Sequence, residues 1–364
     1  MNRRIDQILF QKEKSLWVKI FLLPFSLLSI PYGWAVRART SLYAKGLQHP
    51  LRLPCPVISV GNITVGGTGK TPLVMALAKE LKAKGIPVAI LSRGYKGRKG
   101  SGPIVSDGKR LFLSPGESGD EPYLMGKTLE GIPVLIGRNR FANGRMALER
   151  FGVRGLLLDD GYQHLGLHRN LDILLIDAQI GFGDAHLLPR GILREPLSHL
   201  RRADLFLLTK AESPEACFPL EAILRKIHPS APVFHSHYEA LGLVGPEGHE
   251  EQMSTVKGMK VLALSAIGNP AYFSSLLKKH GLEVVRELSF PDHHPYSSRD
   301  LLLIENEGKG VDRVVTTQKD MVKLKDLQIR LRSLRALSIE VRIWEEGEFY
   351  KRVMERFGQK GEKQ

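Results

Sequence analysis

The stretch Val57–Val74, VISVGNITVGGTGKTPLV, contains an apolar run, a glycine-rich turn and then a lysine and a threonine at the start of a probable helix. This is the layout of a phosphate-binding loop, whose general signature is G-x-x-x-x-G-K-[ST]. Thr64 stands where that signature has its first glycine. We still predict a nucleotide site, because the strand before the turn and the GKT ending both fit. The alternative is a glycine-rich turn with an incidental lysine.

The chemistry of the loop supports the nucleotide interpretation. Its glycines let the backbone bend so that successive N–H groups point at an anion, and the following helix adds its positive end. We expect Lys70 to reach the β- and γ-phosphates and to take part in catalysis, and Thr71 to place its hydroxyl on a magnesium ion. The residues predicted to bind ATP are Thr64, Val65, Gly66, Gly67, Thr68, Gly69, Lys70 and Thr71.

Composition limits the partners of this site. The chain has 364 residues, of which 43% are hydrophobic, which is typical of a globular protein with two domains. A net charge of +15 indicates an acidic partner, either nucleic acid, an anionic membrane surface or a phosphorylated substrate. The two cysteines, Cys55 and Cys217, lie far apart in sequence and support neither a disulfide framework nor a zinc site.

An uncharged apolar run, Ile20–Val36, indicates a membrane segment near the N-terminus. Positive charge on both sides disfavours a simple crossing of the bilayer, and Pro24 and Pro31 interrupt a straight helix. Trp17, Tyr32 and Trp34 are aromatics of the kind found at the headgroup level. The flanking basic residues are Arg3, Arg4, Lys12, Lys14, Lys19, Arg37, Arg39 and Lys45.

We therefore predict a helix that lies in, or dips into, the cytoplasmic face of a membrane. Three alternatives stay open from the sequence. They are a cleaved signal peptide, which lacks a convincing cleavage site, a buried helix of the core, and a single full span, for which seventeen residues are borderline.

After about residue 46, short apolar strands alternate with helical patterns, which predicts an α/β fold with a mostly parallel sheet flanked by helices. The first set is PVISV, IPVAILS, IPVLIG, GLLLDD, LDILLID and ADLFLLT, and a second is MKVLALSAIG, VDRVVTT and LSIEVRI. The irregular segment 213–258 is the predicted inter-domain region. The predicted divisions are 1–45 as the membrane-interface segment, 46–215 as the P-loop domain and 216–364 as a second, smaller α/β domain.

Two adjacent carboxylates, Asp159 and Asp160, follow the apolar strand of GLLLDDGYQH. A Walker B element needs such a pair, because one carboxylate holds magnesium directly or through water and the other orients it. Taken alone, paired aspartates after a strand are as often a simple turn. Beside a phosphate loop in the same domain, we predict that Thr71, Asp159 and Asp160 hold the metal.

Further polar clusters occupy apparent loops, each mixing charge with glycine or proline. Individually each could be a solvated turn, and Asp120 could be the N-cap of the helix that follows it. His293 could likewise be an ordinary loop histidine. The clusters are LSRGYKG from Leu91, SGDEPYLM from Ser118, LLPRGILREP from Leu187 and SFPDHHPY from Ser289.

Taken together, these motifs resemble the tetraacyldisaccharide 4'-kinases, which phosphorylate the lipid A precursor of Gram-negative bacteria. The resemblance spans nearly the whole chain and rests on SVGNITVGGTGKTP, LSRGY, GDEP, LDDGYQH, LREP, FPDHHPY and TTQKDMVKL, in that order. The family shows the same departure at the position of Thr64.

The resemblance implies transfer of the γ-phosphate of ATP, with Mg²⁺, to the 4'-hydroxyl of tetraacyldisaccharide 1-phosphate, giving lipid IVA. It also implies that Asp120 and His293 cooperate as the base that activates the sugar hydroxyl, with His294 left as an alternative. A second domain that closes a cleft over the nucleotide is a further implication. Lys70, Thr71 and the aspartate pair keep the roles given above.

The implied substrate carries four acyl chains, so an enzyme at the cytoplasmic face of the inner membrane can reach its headgroup without extracting it. Arg93, Arg190 and Arg194 are candidates for phosphate contacts. Lys319 and Asp320 of TTQKDMVKL resemble a base-recognition turn of other P-loop proteins. No protein partner is implied.

Two other classes of function fit the sequence less well. A soluble P-loop nucleotide switch, GTPase-like, lacks a convincing guanine-specificity motif and a Cys/His metal site here. A nucleic-acid-binding ATPase fits the net charge, but no RRM, KH or basic-aromatic motif is present, so no nucleic-acid partner is predicted.

Overall fold

The computed structural model describes residues 16–94, 102–327, 331 and 333–358. Several predictions therefore fall outside the described residues, namely those for the basic residues Arg3, Arg4, Lys12 and Lys14 and for residues 95–97 of LSRGYKG.

The helices and strands are, in chain order, α1 Leu16–Phe21, α2 Leu23–Ala44, β1 Val57–Gly61, α3 Lys70–Ala83, β2 Val88–Ser92, β3 Ile104–Ser106, α4 Pro115–Ser118, α5 Asp120–Thr128, β4 Val134–Ile136, α6 Arg140–Phe151, β5 Gly155–Asp159, β6 Leu171–Asp177, β7 Leu205–Thr209, α7 Phe218–Ile227, β8 Val233–Val244, β9 Glu250–Gln252, β10 Lys260–Ser265, α8 Pro270–Lys279, β11 Glu283–Ser289, α9 Ser298–Glu307, β12 Arg313–Thr317, α10 Gln318–Asp326, β13 Leu334–Ile343 and α11 Glu346–Gly358.

The chain forms two compact units, and neither is continuous in sequence. Unit 1 comprises Met1–Arg93, Gly131–His237 and Arg342–Gln364, and unit 2 comprises Gly94–Glu130 and Tyr238–Val341. The predicted divisions 1–45, 46–215 and 216–364 differ from this, because reading a sequence assigns contiguous segments whereas this chain leaves unit 1 twice and returns. The crossing after His237 does lie inside the segment predicted as inter-domain.

Unit 1 is built on a parallel sheet with β1 near its centre. Strand β1 pairs with β5 on one side and β6 on the other, and the order continues through β2 and β4 on the β5 side and through β7 to the first residues of β8 on the other. Every residue of β1, β2, β5, β6 and β7 is buried. Because parallel strands end at one edge, the turn after β1 and the carboxylates after β5 are neighbours.

The strands of unit 2 include the order β11-β10-β12-β13-β8. Strand β10 pairs in parallel with β11 and β12, and β12 with β13, while β9 pairs antiparallel with β8. One buried cluster of this unit gathers Leu262, Leu264, Ile304, Val314 and Leu324 from β10, α9, β12 and α10. The predicted α/β class with a mostly parallel sheet is confirmed.

Helix α2 is joined to the rest of unit 1 by a polar seam, a set of hydrogen bonds to the segment 187–194. Ser29 Oγ donates to the carbonyl of Leu187 at 3.0 Å, and Arg190 Nη1 donates to Ser26 Oγ at 2.9 Å. Tyr32 Oη donates to the carbonyl of Arg194 at 2.8 Å. The seam therefore joins the predicted membrane helix to the loop 187–194.

The other side of this helical segment is apolar and exposed. Phe21, Leu27 and Trp34 are 62%, 69% and 71% exposed, whereas Leu22 is 4% exposed. The alternative of a buried core helix is therefore wrong. Within the described residues, no helix has both the length and the apolar character that a bilayer span requires.

Candidate active site

The turn after β1 has the backbone of a phosphate-binding loop. Gly66 and Gly69 have φ of 108° and 87°, a left-handed region that glycine adopts without steric cost. Gly69 precedes the first residue of α3, so the N-terminus of that helix and its positive end face the turn. A Cβ at Gly67 would meet no atom within 4 Å, which leaves open space beside the loop.

Thr64 replaces glycine at a position where the backbone is extended and paired. It forms an antiparallel bridge with Leu193, and its hydroxyl accepts a hydrogen bond from Asn62 Nδ2 at 3.4 Å. The next N–H, that of Val65, donates to the carbonyl of Ile192 at 2.8 Å. These two residues therefore connect the loop to segment 187–194.

Lys70 and Asp160 meet at the base of the loop. Lys70 Nζ lies 3.5 Å from Asp160 Oδ1 and donates to Asn62 Oδ1 at 3.3 Å. Arg194 Nη1 donates to both oxygens of Asp160 at 3.1 Å. Burial alone would raise the pKa of Asp160, but the charges of Lys70 and Arg194 outweigh it and lower this pKa to about 2. Asp160 is therefore ionised at any physiological pH.

Asp160 adopts φ of 53°, a conformation that non-glycine residues hold only when their surroundings fix it. Asp159, the last residue of β5, is buried and accepts a hydrogen bond from Ser92 Oγ at 3.0 Å. Arg140, 3% exposed, lies close enough for Asp159 and Asp160 to stabilise its charge, although burial still lowers its pKa to about 10. Sequence reasoning missed Arg140, although its place just after β4, on the same edge of the sheet, was available as a signal.

The donor set suits magnesium. Thr71, Asp159 and Asp160 offer a hydroxyl and two carboxylates, and hard oxygen donors of this kind are what Mg²⁺ prefers. In the described part of the chain, no group of three or more His, Cys, Asp or Glu side chains is arranged to hold a metal ion. The predicted site of two carboxylates and one hydroxyl does not require such a group, because Mg²⁺ at phosphate sites takes its other ligands from water and the phosphates.

A second cation on the loop was not predicted. Lys210, just after β7, is 5% exposed, and its Nζ donates to the carbonyl of Gly67 at 2.6 Å and to Asp177 Oδ2 at 2.5 Å. Thr209 Oγ1 donates to the carbonyl of Thr68 at 2.9 Å. These contacts pair two loop carbonyls, those of Gly67 and Thr68, with side-chain donors.

In unit 2, the predicted pair of Asp120 and His293 is in contact. His293 Nδ1 lies 3.3 Å from Asp120 Oδ2, between residues 173 positions apart. Gly119, with φ of 88°, stands at the N-cap of α5, and Asp120 is the first helical residue. The N-cap interpretation of Asp120 is therefore wrong, and its carboxylate is turned to His293 instead.

The structure distinguishes the two adjacent histidines. His293 has φ of 58° and meets Asp120. His294 stacks on Phe290 with ring centroids 4.6 Å apart, and its Nε2 lies 3.2 Å from Asp300 Oδ2. His294 therefore packs within its own loop and onto the cap of α9, and does not reach Asp120.

Two lysines of α10 complete this cluster. Lys319 Nζ lies 3.2 Å from Glu121 Oε1, 3.1 Å from Asp292 Oδ1 and 3.2 Å from His293 Nε2. Lys323 Nζ lies 3.4 Å from Asp120 Oδ2. The base-recognition interpretation of TTQKDMVKL does not match these positions, since Lys319 joins the acid–histidine cluster of unit 2.

Asp320 is fully buried in the first turn of α10, where its Oδ2 accepts from Oγ1 of the N-cap Thr317 and from the N–H of Ala266, each at 2.9 Å. It is therefore a structural residue.

Of the three arginines proposed for phosphate, Arg194 reaches Asp160 and Arg190 is bonded to Ser26 of the seam. Arg93 is exposed at the end of β2.

Comparisons with known proteins find similar chains. A family model described as tetraacyldisaccharide-1-P 4'-kinase, LpxK, matches residues 18–358. The chain is 41% identical over 352 residues to the tetraacyldisaccharide 4'-kinase of Syntrophus aciditrophicus, covering 91% of this chain and 93% of that one. It is 44% identical over 313 residues to the enzyme of that name from Pelobacter propionicus, with coverage of 84% and 83%.

A solved structure is also similar, that of LpxK from Aquifex aeolicus in complex with ATP. The TM-score is 0.73 at 37% sequence identity, covering 93% of this chain and 99% of that one. Because the family model covers most of the chain and the relatives exceed 40% identity over most of their length, the chain belongs to the tetraacyldisaccharide 4'-kinase family.

Proposed function

We propose that this chain transfers the γ-phosphate of ATP to the 4'-hydroxyl of tetraacyldisaccharide 1-phosphate in lipid A biosynthesis, with Lys70 on the donor phosphates and Asp120 with His293 on the acceptor. The observation that carries the assignment of roles is the 3.3 Å contact between His293 and Asp120. Folding brings together a carboxylate and an imidazole from distant motifs, and such a pair can accept a hydroxyl proton.

The donor side acts by placing charge. As the acceptor oxygen bonds to the γ-phosphorus, the bond from that phosphorus to the β,γ-bridging oxygen breaks and ADP leaves. Lys70 and the N–H groups from Gly66 onward stabilise the negative charge on the phosphate oxygens as it redistributes during the transfer. Thr71, Asp159 and Asp160 would hold a magnesium ion, which when bound neutralises charge on those oxygens.

The acceptor side removes the proton. Burial would raise the pKa of Asp120, but the hydrogen bond from His293 and the charges of Lys323 and Lys319 hold it below its ordinary value. Asp120 is therefore ionised at neutral pH and available as a base. Because a sugar hydroxyl is a poor nucleophile, a base that accepts its proton late in the transfer suits this reaction.

The proposal is tested by incubating the protein with γ-labelled ATP, Mg²⁺ and tetraacyldisaccharide 1-phosphate in mixed micelles. We expect label on the lipid, in proportion to the ADP formed. Absence of labelled lipid would overturn the proposal. Hydrolysis of nucleotide that ignores the lipid would favour a P-loop nucleotide switch.

The proposal extends to the location of the enzyme, at the cytoplasmic face of the inner membrane. The exposed apolar side chains of α1 and α2, among them Phe21, Leu27 and Trp34, support this placement. The polar seam bonds one side of α2 to the protein. Transfer of the exposed apolar side chains from water into the acyl region of a bilayer is then favourable in free energy.

Replacing Phe21, Leu27 and Trp34 together by serine is expected to weaken binding to anionic lipid vesicles about tenfold or more. It should also raise KM for micellar lipid while leaving KM for ATP unchanged. The matched control is Leu302→Ser with Leu303→Ser, which removes exposed apolar side chains of α9 in unit 2. Equal loss of vesicle binding in the control and the test variant would argue against the placement.

A further inference from the structure

The ammonium group of Lys319 is placed on the imidazole of the base pair. Its Nζ is 3.2 Å from His293 Nε2 and also contacts Glu121 and Asp292, at 3.2 and 3.1 Å. Lys319 side-chain exposure is 14%. An ammonium ion has three protons to donate and no lone pair. At this distance His293 Nε2 must therefore be the acceptor, with its lone pair directed at the lysine.

That contact determines which ring nitrogen carries hydrogen. A neutral imidazole has one N–H and one lone pair. With the lone pair of Nε2 facing Lys319, the hydrogen is on Nδ1, which donates to Asp120 Oδ2 at 3.3 Å. An imidazolium would instead point its Nε2–H at the ammonium, which is unfavourable for both charges.

Two carboxylates near the ring act in the opposite direction, since they favour the imidazolium. Glu121 Oε1 is 4.0 Å and Asp292 Oδ1 is 3.9 Å from His293 Nε2. Both lie closer to Lys319, whose charge offsets theirs. Burial would lower the pKa of Lys319, but Glu121 and Asp292 raise it above its ordinary value, so the lysine keeps its charge.

We propose that Lys319 is a positioning residue that holds His293 neutral and protonated on Nδ1, so that the Asp120 carboxylate, and not the imidazole, receives the proton of the acceptor hydroxyl. This inference rests on the proposed function. It gives the lysine of TTQKDMVKL a role in acceptor activation that differs from binding phosphate.

The proton then has a defined destination. His293 and Lys323 both contact Oδ2 of Asp120, which leaves Oδ1 for the acceptor. As the bond from the 4'-oxygen to the γ-phosphorus forms and the bond to the β,γ-bridging oxygen breaks, the hydroxyl proton moves to Asp120 Oδ1. The products are ADP, the phosphorylated lipid and a protonated Asp120, which returns its proton to water.

The first test reads the tautomer directly and needs no turnover. In protein labelled with ¹⁵N-histidine, the two ring nitrogens of His293 are identified by their loss in His293→Gln. We expect the wild-type protein at neutral pH to show a protonated Nδ1 and a lone pair on Nε2. A protonated Nε2 with a bare Nδ1, or an imidazolium, would overturn the proposal.

The second test is kinetic and uses a matched control on the same helix. Lys319→Met removes the donor and its charge, whereas Lys325→Met removes a lysine whose Nζ bonds the exposed carbonyl of Pro246. We expect kcat to fall about 10- to 100-fold in Lys319→Met, as for loss of a group that orients a catalytic residue. Lys325→Met should retain wild-type kcat, and Lys319→Arg should recover part of the loss.

The pH profile separates positioning from a structural role. The charged groups around the pair are Asp120 and Glu121 of α5, Asp292 and His293 of the loop, and Lys319, Asp320 and Lys323 of α10. Loss of one positive charge makes Asp120 easier to protonate. The acid limb of kcat/KM should therefore move to higher pH by about half to one unit in Lys319→Met.

An unchanged acid limb and an unchanged His293 tautomer in Lys319→Met would overturn the inference. The proposed function fails by a different result, namely wild-type protein that does not phosphorylate the lipid. If wild-type protein transfers phosphate and Asp120→Asn is inactive while Lys319→Met behaves as wild type, the inference alone is wrong.

Discussion

Asp160 in unit 1 and Asp120 in unit 2 are both carboxylates that contact cations. The two sets of cations differ in whether they also contact other carboxylates. Asp160 lies between Lys70 and Arg194, and Lys70 belongs to the phosphate loop itself. Asp120 lies between His293 and Lys323. Each site also includes a residue with left-handed backbone, Asp160 with φ of 53° and His293 with φ of 58°.

The difference concerns how firmly the cations are held. Lys323 has its own buried carboxylate, Asp320 at 3.0 Å, and Lys319 has Glu121 and Asp292. Those cations stay in place whether or not substrate is bound. Lys70 has no such second carboxylate among its described contacts. Under the proposed function, the γ-phosphate would therefore compete with Asp160 for Lys70, whereas the cations beside Asp120 would keep their own carboxylates throughout.

The largest effect is expected at the supported base. Asp120→Ala and His293→Ala should each lower kcat about 10²–10⁴-fold, the usual contribution of general-base assistance, with little change in ATP affinity. The double variant should be barely worse than either single variant, because groups that act as one unit lose their joint contribution together. Steady-state kinetics on the three variants gives the comparison.

The control for this cycle is His294→Ala, which removes the ring stacked on Phe290 and should cost far less in kcat. Losses in the two single variants that multiply in the double variant would show independent action and break the pair. Weaker magnesium or nucleotide binding in Asp120→Ala would move Asp120 to the metal side.

A somewhat smaller loss is expected at the phosphate loop. Lys70→Ala should lower turnover at least several hundred-fold, because removal of one preorganised charge-stabilising group costs about 3–4 kcal/mol in the transition state. Lys79→Ala, on the exposed face of the same helix, is the matched control. A Lys70 variant that kept most of its activity would show that the glycine loop is not the catalytic phosphate site.

The smallest effect is on stability, and it sharpens the description of Asp160. Because its pKa is about 2 in the folded chain against an ordinary 3.8, its stabilising contribution is present above pH 4 and is lost as pH falls toward 2. Asp160→Asn should therefore lower the free energy of unfolding by about 1–2 kcal/mol at neutral pH, and by progressively less in acid. Denaturant unfolding between pH 2.5 and 7 measures this.

Glu149→Gln is the control, since that carboxylate is 68% exposed in its pair with Arg145. The difference in free energy of unfolding between wild type and Asp160→Asn should disappear in acid. The difference between wild type and Glu149→Gln should stay near zero at every pH. A gap at Asp160 that persisted unchanged at pH 2.5 would contradict the ion-pair account.

The sequence predicts the donor side far better than the acceptor side. The loop after β1 and the aspartates after β5 are read from local spacing, and their neighbouring strands bring them together. All nine predicted strands are present, because each is rich in apolar or β-branched residues. Strands β3, β8, β9 and β11 were missed, and the longest of them, β8, alternates buried apolar residues with polar ones such as His235 and Glu239.

The acceptor cluster depends on packing that no local pattern contains. Asp120 and His293 were paired only through the family resemblance, and Lys319 was interpreted as part of a base-recognition turn. Its contact with Glu121 joins residues 198 positions apart. Side chains that meet across such separations follow from how α5 and α10 pack, which neither periodicity nor charge pattern specifies.

The last helix has a consequence for how the protein is made. Helix α11 buries Phe349 and Val353 in unit 1, where the ring of Phe349 lies 5.4 Å from that of Phe234, and Phe357 lies directly against Gly155 at the start of β5. The ribosome delivers these residues only after all of unit 2. The helix therefore cannot cover the start of β5 until the ribosome has passed unit 2, and this contact closes a long loop.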